Sequence, residues 1–362
     1  MMTSVQVKER ARALGFDLCG VARAEAIAEL SQLPEWLARG YGGRMTYLNR
    51  TARVRADIRR WLPSARSVVA VATLYQTARP HHVEMADPGR ARIARYAWGD
   101  DYHDQLGRRL DALADWMRDR AGAGFEARWC VDDGPVQEKV WAARTGLGWI
   151  GKNTCVISPG LGSWILLGVL VCNVELAPDA PAFDQCGTCR QCLDACPTGA
   201  LVEPYVLDAR RCLSYLTIEI RGSIPEAQRR DLGSHIFGCD ICQDVCPHNA
   251  SAPVARDACW QPRPALGEAT LAGLWKQDDD ALAGTIAGTA LRRAGVMGLR
   301  RNLAVALGNS GTPPDGPRTG RLPAARGDDE STDAEPDSDG ARPSLGDRMV
   351  AEHVAWARRH AK

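Results

Sequence analysis

No hydrophobic run in this 362-residue chain is long enough to cross a bilayer. The longest, Trp164 to Cys172, falls far short of the roughly 20 residues that a spanning helix needs. The opening, Met-Met-Thr-Ser-Val-Gln-Val-Lys-Glu-Arg, has no apolar core of the kind a secretion signal requires. A soluble, cytoplasmic protein is therefore expected. Nor is there an excess of charge of either sign. The 45 Lys and Arg stand against 44 Asp and Glu, a net +1. Nothing global steers the chain to nucleic acid or to an anionic membrane, so either partner would have to be met by a local patch. Also missing are a G-x-G-x-x-G after a strand and a Walker loop, which removes support for nicotinamide binding and for nucleotide hydrolysis. Gly40-Tyr-Gly-Gly43 is glycine-rich but follows a helical pattern and reads as a loop.

Cysteine, by contrast, is plentiful: there are 13. Cys186-Gly-Thr-Cys189-Arg-Gln-Cys192-Leu-Asp-Ala-Cys196-Pro197 has the C-x2-C-x2-C-x3-C-P spacing of a bacterial ferredoxin, in which the fourth cysteine serves the other of two clusters. Cys239-Asp-Ile-Cys242-Gln-Asp-Val-Cys246-Pro247 repeats the pattern without its leading cysteine, which Cys212 supplies from upstream. Crossing the ligands assigns Cys186, Cys189, Cys192 and Cys246 to one 4Fe–4S cluster. Cys196, Cys212, Cys239 and Cys242 then belong to the other. Zinc ribbons also use C-x2-C knuckles but do not need the C-P tail twice. A disulfide framework does not suit a long chain without a secretion signal, and buried structural thiols would not keep this spacing. The other five, Cys19, Cys130, Cys155, Cys172 and Cys259, are expected to be small buried hydrophobes.

Length calls for two or three domains. Residues 4 to 14 read as a helix stopped by Gly15, with Val5, Val7, Ala11 and Leu14 apolar, and Phe16 to Ala22 as a strand. Ser67 to Tyr75 is a strand buried on both faces. Tyr102 to Arg120 is an amphipathic helix with Leu106, Leu110, Leu113 and Met117 at helical spacing. An apolar stretch ends at Cys130-Val131, Val136 to Thr145 is helical, and Trp164 to Val171 is a strand. The alternation predicts an α/β domain over the first 175 or so residues. Ala177 to Ala182 is a linker into the cluster domain. Beyond Pro253 the pattern is helical, including Leu271–Trp275, Ala290–Arg293 and a helix Leu299–Asn309 closed by Gly308. Gly311 to Leu345 is rich in Pro, Gly, Ser, Asp and Arg and cannot bury enough surface to order itself, so it reads as a disordered insertion. Met349 to His360 resumes a helix, with Val350, Val354 and Trp356 available for packing.

Paired clusters move electrons, so another group must meet the substrate. In Val131-Asp132-Asp133-Gly134-Pro135-Val136-Gln137-Glu138, an acid ending an apolar stretch can point into a cleft at the carboxyl edge of a sheet. Alternatively, Asp132 or Asp133 caps the helix that follows. Gly146 to Thr154 is a glycine-dense loop whose backbone could approach a large planar ligand. His103, in Asp101-Tyr-His-Asp-Gln-Leu-Gly107, nearly fits the D-x-H-x-x-G pattern that gives histidine to cobalt. Leu106 stands where the glycine should, and His103 reads as a helix N-terminal residue instead.

These stretches together resemble the epoxyqueuosine reductases, cobalamin-dependent iron–sulfur enzymes of queuosine synthesis in tRNA. The resemblance runs through Arg95 to His103, Val131-Asp132 to Pro135, Gly148 to Thr154, Gly162-Ser-Trp164 and the cysteine set. It continues in Thr217 to Glu219 with Arg221-Gly222, in His235 to Asp240, and in Arg301-Asn302 with Ala306 to Asn309. The chain departs from the family at Asp133-Gly134, at His248 and in the insertion. Two adjacent acids result, of which the resemblance favours Asp132.

The resemblance implies three parts. They are an α/β cobalamin-binding catalytic domain (1–176), a ferredoxin-like domain with two 4Fe–4S clusters (177–254) and a C-terminal α-helical HEAT-like repeat domain (255–362, with the insertion 311–345). It implies base-off cobalamin, lined by Arg55, Ala97, Asp132, Lys152, Asn153, Cys239 and Asp240. Electrons would come from an external ferredoxin or flavodoxin through the clusters, with Asp132 as catalytic acid, its pKa raised by burial beside the corrin. The implied reaction turns epoxyqueuosine into queuosine at the tRNA wobble position. Arg292-Arg293 and Arg300-Arg301 could grip phosphates or simply form a solvated face. A monomer is expected. The alternatives are another cobalamin-dependent reductase, such as a reductive dehalogenase, and an iron–sulfur electron carrier or tRNA-binding module.

Overall fold

The computed structural model describes residues 2–78, 81–315 and 344–361. They fall into two compact units that the chain enters more than once. The first comprises residues up to Val83, Gly99–Cys212 and Asp240–Gln261; the second comprises Glu84–Trp98, Leu213–Cys239 and the residues from Pro262 onward.

The first unit is built on a four-stranded sheet of β1 (Leu18–Arg23), β2 (Ser67–Leu74), β3 (Ala127–Cys130) and β4 (Ile165–Cys172), in the order β1-β2-β4-β3. Every residue of β2 is buried, as its unbroken apolar sequence demands of a central strand. All three pairings are antiparallel, with Gly20 opposite Ala70, Val69 opposite Leu170 and Cys130 opposite Val169. Strands and helices alternate along the chain as expected, yet neighbouring strands end at opposite edges. The shared carboxyl edge of a parallel sheet, anticipated as the setting for Asp132, is therefore not formed here.

Helix α1 (Ser4–Ala13) opens on a Thr3–Gln6 capping box, and Gly15 takes φ +91° just beyond its end. Val7 and Ala11 are buried, but Val5 faces solvent. Helix α2 (Tyr102–Ala121) buries Leu106, Leu110, Leu113 and Met117 completely. Asp101 caps it by accepting the N–H of His103. Helix α3 (Glu138–Arg144) begins two residues later than the sequence pattern suggests.

In the second unit, strands Arg92–Ile93 and His235–Phe237 pair in parallel. Its core is helix α4 (Gly295–Asn309), of which every residue from Leu299 to Gly308 is buried. Helix α5 (Leu345–His360) packs along it through Val350, Val354 and Trp356. Gly308 does not close α4. A Cβ there would meet the Ala357 backbone at 2.8 Å, so glycine is needed for close helix approach, and the chain turns only at Gly311, φ +80°. The turn Tyr215–Glu219 is a wide π-helix that leaves carbonyls for other donors. Arg301 takes those of Leu216, Ile220 and Gly222, and Asn302 those of Thr217 and Ile236. Arg300 pairs with Asp279 at 2.9 Å and donates to Trp275 and Gln277 carbonyls. Both arginines are 1% exposed, so neither the phosphate grip nor the solvated face expected of Arg300-Arg301 is realised. The disordered reading of 311–345 falls mostly on residues 316–343, which lie outside the described residues. No described helix is long and apolar enough to cross a membrane.

Candidate active site

The first cysteine set is gathered in the first unit. Strands Trp149–Ile150 and Val156–Ile157 form a hairpin. On it Trp149, Ile157 and Cys246 make an apolar cluster against which Cys186 packs. Cys186, Cys189, Cys192 and Cys246 line one small cavity together with Lys152, Asn153, Ile157, Pro247 and His248. The Trp149 indole N–H points at Cys186 Sγ (3.5 Å), and its ring meets His248 edge-on at 4.8 Å. Burial first, then the neighbouring Cys246, pushes the Cys192 thiol up to about 11. Metal binds thiols as thiolates, so loading the site would release protons. The donor set, four thiols and an N–H aimed at sulfur, fits a cubane.

Of the second set, Cys196, Cys212 and Cys242 belong to the first unit, and Cys239 is where the chain leaves the second. The N–H of Ala200 already donates to Cys196 Sγ (3.3 Å). Among the described residues no three His, Cys, Asp or Glu side chains form a group that could share a single metal ion, whereas a cubane would take one thiol at each iron. The hairpin is tied to the cysteine stretch from both sides. Lys152 Nζ donates to the carbonyls of Gly187 (2.5 Å) and Cys189 (2.9 Å), and Asn153 Nδ2 to that of Cys242 (3.3 Å). Ser163 N and Asn249 Oδ1 are 2.6 Å apart, while Asn249 Nδ2 donates to Ser163 Oγ and to the Gln243 carbonyl. A Cβ on Gly162 would strike Asn249 at 2.1 Å. The glycine-dense loop has a similar explanation. A Cβ on Gly148 would lie 2.2 Å from the Ile157 carbonyl, so that glycine serves the hairpin's own packing.

Asp132 follows β3 in the left-handed conformation, φ +61°, which residues other than glycine seldom adopt. It is exposed. Its Oδ2 accepts the Tyr102 hydroxyl (2.8 Å), and its N–H donates to Glu138 Oε1 (2.7 Å). Asp133 Oδ1 accepts the N–H of Val131 (3.2 Å). Helix α3 has Gln137 at its N-cap and no side-chain cap bond, so neither acid is a helix cap. Arg55 clamps the loop, donating to the carbonyls of Gly134 (2.9 Å) and Val136 (2.7 Å). Gln137 Nε2 donates to Leu30 and Arg55 carbonyls. Desolvation, and then the charge of Asp132, pushes Glu138 up to about 8. His103 Nδ1 lies 2.7 Å from Asp101, and the ring stacks on Tyr102. Burial opposes its charged form, but the Asp101 hydrogen bond and the nearby acids raise its pKa.

Arg55, Asp132, Lys152, Asn153 and Asp240 belong to the first unit, and Ala97 and Cys239 to the second. Asn153 and Asp240 are 4% and 2% exposed, and Ala97 is fully buried. The donors of Arg55 and Lys152 are engaged by loop carbonyls. Of the scattered cysteines, Cys130 and Cys172 are buried as expected, whereas Cys19, Cys155 and Cys259 keep some exposure. Cys155 is drawn down to about 7 by a hydrogen bond to Cys242. Sequence reasoning assigned no role to Tyr102 or Glu138. The only signal for Glu138 was a third acid just past the Gly134-Pro135 turn.

The chain is similar to known proteins. A family model described as "4Fe-4S double cluster binding domain" matches residues 185–249, and one described as "Epoxyqueuosine reductase QueG, DUF1730" matches residues 55–133. The epoxyqueuosine reductase of Gloeobacter violaceus is 45% identical over 316 residues, covering 85% of this chain and 97% of that one. The Pseudomonas aeruginosa enzyme is 40% identical over 361 residues, covering 98% and 94%. Among solved structures, an epoxyqueuosine reductase with an epoxyqueuosine-modified tRNA-Tyr stem loop superposes with a TM-score of 0.77 at 30% identity, over 85% of this chain and 81% of that one. The Bacillus subtilis enzyme, with its catalytic aspartate loop swung out of the active site, matches by the same measures. With relatives at this identity over nearly its whole length, the chain belongs to the epoxyqueuosine reductase family.

Proposed function

We propose that this chain reduces epoxyqueuosine to queuosine in tRNA, with Asp132 as the proton donor. Both C–O bonds of the epoxide break and a C=C bond forms. Two electrons and two protons enter, and the oxygen leaves as water, so an acid beside the substrate is required. The observation that carries the reading is an exposed carboxyl held by a tyrosine in a left-handed turn, in the same unit as the thiol-lined cavity. Tyr102 fixes Oδ2, and Oδ1 would carry the proton. In the Bacillus subtilis relative the catalytic aspartate loop is swung out of the active site, and the loop 131–137 would move here in the same way.

The crossed cysteine sets would hold the two clusters, and these together with base-off cobalamin would supply the two electrons when bound. The shared family supports the corrin. Arg55 and Lys152, their donors taken up by loop carbonyls, would act by shaping the loops beside it, and Asn153 by fixing the hairpin. Ala97, Cys239 and Asp240 complete the proposed lining. The division into a cobalamin-binding domain (1–176), a ferredoxin-like domain (177–254) and a HEAT-like domain (255–362) is part of the same proposal. So are a monomeric, cytoplasmic enzyme, an external ferredoxin or flavodoxin donor, and tRNA contacts at Arg292 and Arg293.

The test is nucleoside analysis of an epoxyqueuosine stem loop incubated with full-length protein, loaded with clusters and cobalamin, and a chemical reductant. The expected product is queuosine, lighter by one oxygen. An unchanged epoxide with both chromophores loaded would overturn the proposal.

A further inference from the structure

The loop from Val131 to Gln137 is anchored at its far end by Arg55 and Gln137. Among the described residues, Asp132 itself is held by two bonds, one to the carboxyl from Tyr102 and one from the peptide N–H to Glu138. Glu138 stands in the first turn of α3 and reaches back six residues. The same Oε1 is 3.5 Å from Cys130 Sγ, on the last residue of β3. A Cβ added at Gly134 would lie 2.4 Å from that of Cys130, so the loop in this conformation needs glycine there.

We propose that Glu138 is a positioning residue for the reaction: by accepting the N–H of Asp132 it keeps that residue left-handed and sets its carboxyl against Tyr102. This rests on the reading of Asp132 as proton donor. Around Glu138 stand Asp132 and Asp133 in the loop and Cys130 on β3, with Arg55 the cation that binds the loop. Desolvation and the charge of Asp132 outweigh the lowering effect of the two hydrogen bonds and raise Glu138 to about 8. If the loop swings out, Glu138 returns to its ordinary carboxyl value. The inward loop is then most favoured below about 4.5, is progressively weakened up to about 8 and changes no further above it. The inward-to-outward ratio should fall on the order of tenfold per pH unit through that window.

The experiment is hydrogen exchange of the peptide spanning residues 130–138 in the fully loaded enzyme, at pH 6.5 and 8.5, corrected for the intrinsic pH dependence of exchange. Protection of the Asp132 amide is expected at pH 6.5 and should drop about tenfold or more at pH 8.5. Glu138→Ala should lose protection at both values, with turnover down roughly 10- to 100-fold, as for a misplaced catalytic group. Glu138→Gln keeps an acceptor without a charge and should restore protection while flattening the pH dependence. Wild-type protection in Glu138→Ala, or a wild-type pH dependence in Glu138→Gln, would overturn the proposal. The two readings fail separately. Turnover surviving Asp132→Asn would remove the acid assignment but leave the exchange result standing. Lost turnover in Asp132→Asn with exchange untouched by Glu138→Ala would do the reverse.

Discussion

The cavity lined by Cys186, Cys189, Cys192 and Cys246 and the loop carrying Asp132 lie in the same unit but are held in different ways. The cavity rests on a hairpin, on the packing of Trp149 and Ile157, and on bonds from Lys152 and Asn153 to backbone carbonyls. The loop is an exposed turn held by single side chains from three elements, Arg55, Tyr102 and Glu138. A site that must hold iron gains from a rigid frame. A site that must admit a nucleoside and deliver a proton needs a part that can leave and return. Loss of a thiol from the first should therefore be all-or-none, and damage to the second graded.

The largest effect should come from Cys189→Ser, which would remove a proposed cluster ligand. Metal analysis should find about half the iron, and turnover should vanish. Iron retained at the wild-type level would break the ligand assignment. Asp132→Asn should keep iron and corrin absorbance while turnover falls by about 100- to 10,000-fold, the range for loss of a general acid. Arg55→Met removes two charge-assisted bonds to the loop, each worth about 1.5–3 kcal/mol if unreplaced. Water can take over at this half-exposed site, so a loss of about tenfold in turnover is expected, with iron content unchanged. Trp149→Phe deletes one N–H aimed at the Cys186 sulfur. A bond worth about 1 kcal/mol corresponds to on the order of 40 mV for one electron. The reduced cluster carries more negative charge and loses more, so the potential should fall, as an anaerobic titration followed by electron paramagnetic resonance would detect.

The same contrast decides what could be read beforehand. Cluster ligation constrains chain spacing directly, so the cysteine runs announced themselves, as did the wholly apolar strand Ser67–Leu74. The hold on Asp132 is a matter of hydrogen bonds between residues 30 or 81 positions apart in the chain, as for Tyr102 and for Arg55 with Val136, and no local pattern records it. Strand order was hidden for a related reason. Ser67–Leu74 and Ile165–Cys172 are neighbours in space, and alternation with helices does not say which way they run. Arg300-Arg301 misled because charge usually marks the wet face of a helix. Here one arginine meets a buried aspartate and the other the carbonyls opened by a π-helical turn.

Asn249, two residues past Pro247, is bonded to Ser163 and Gln243. One amide side chain therefore ties the backbone just beyond Cys246 to the turn at Gly162–Ser163, so a change at either end would be felt beside a proposed iron ligand.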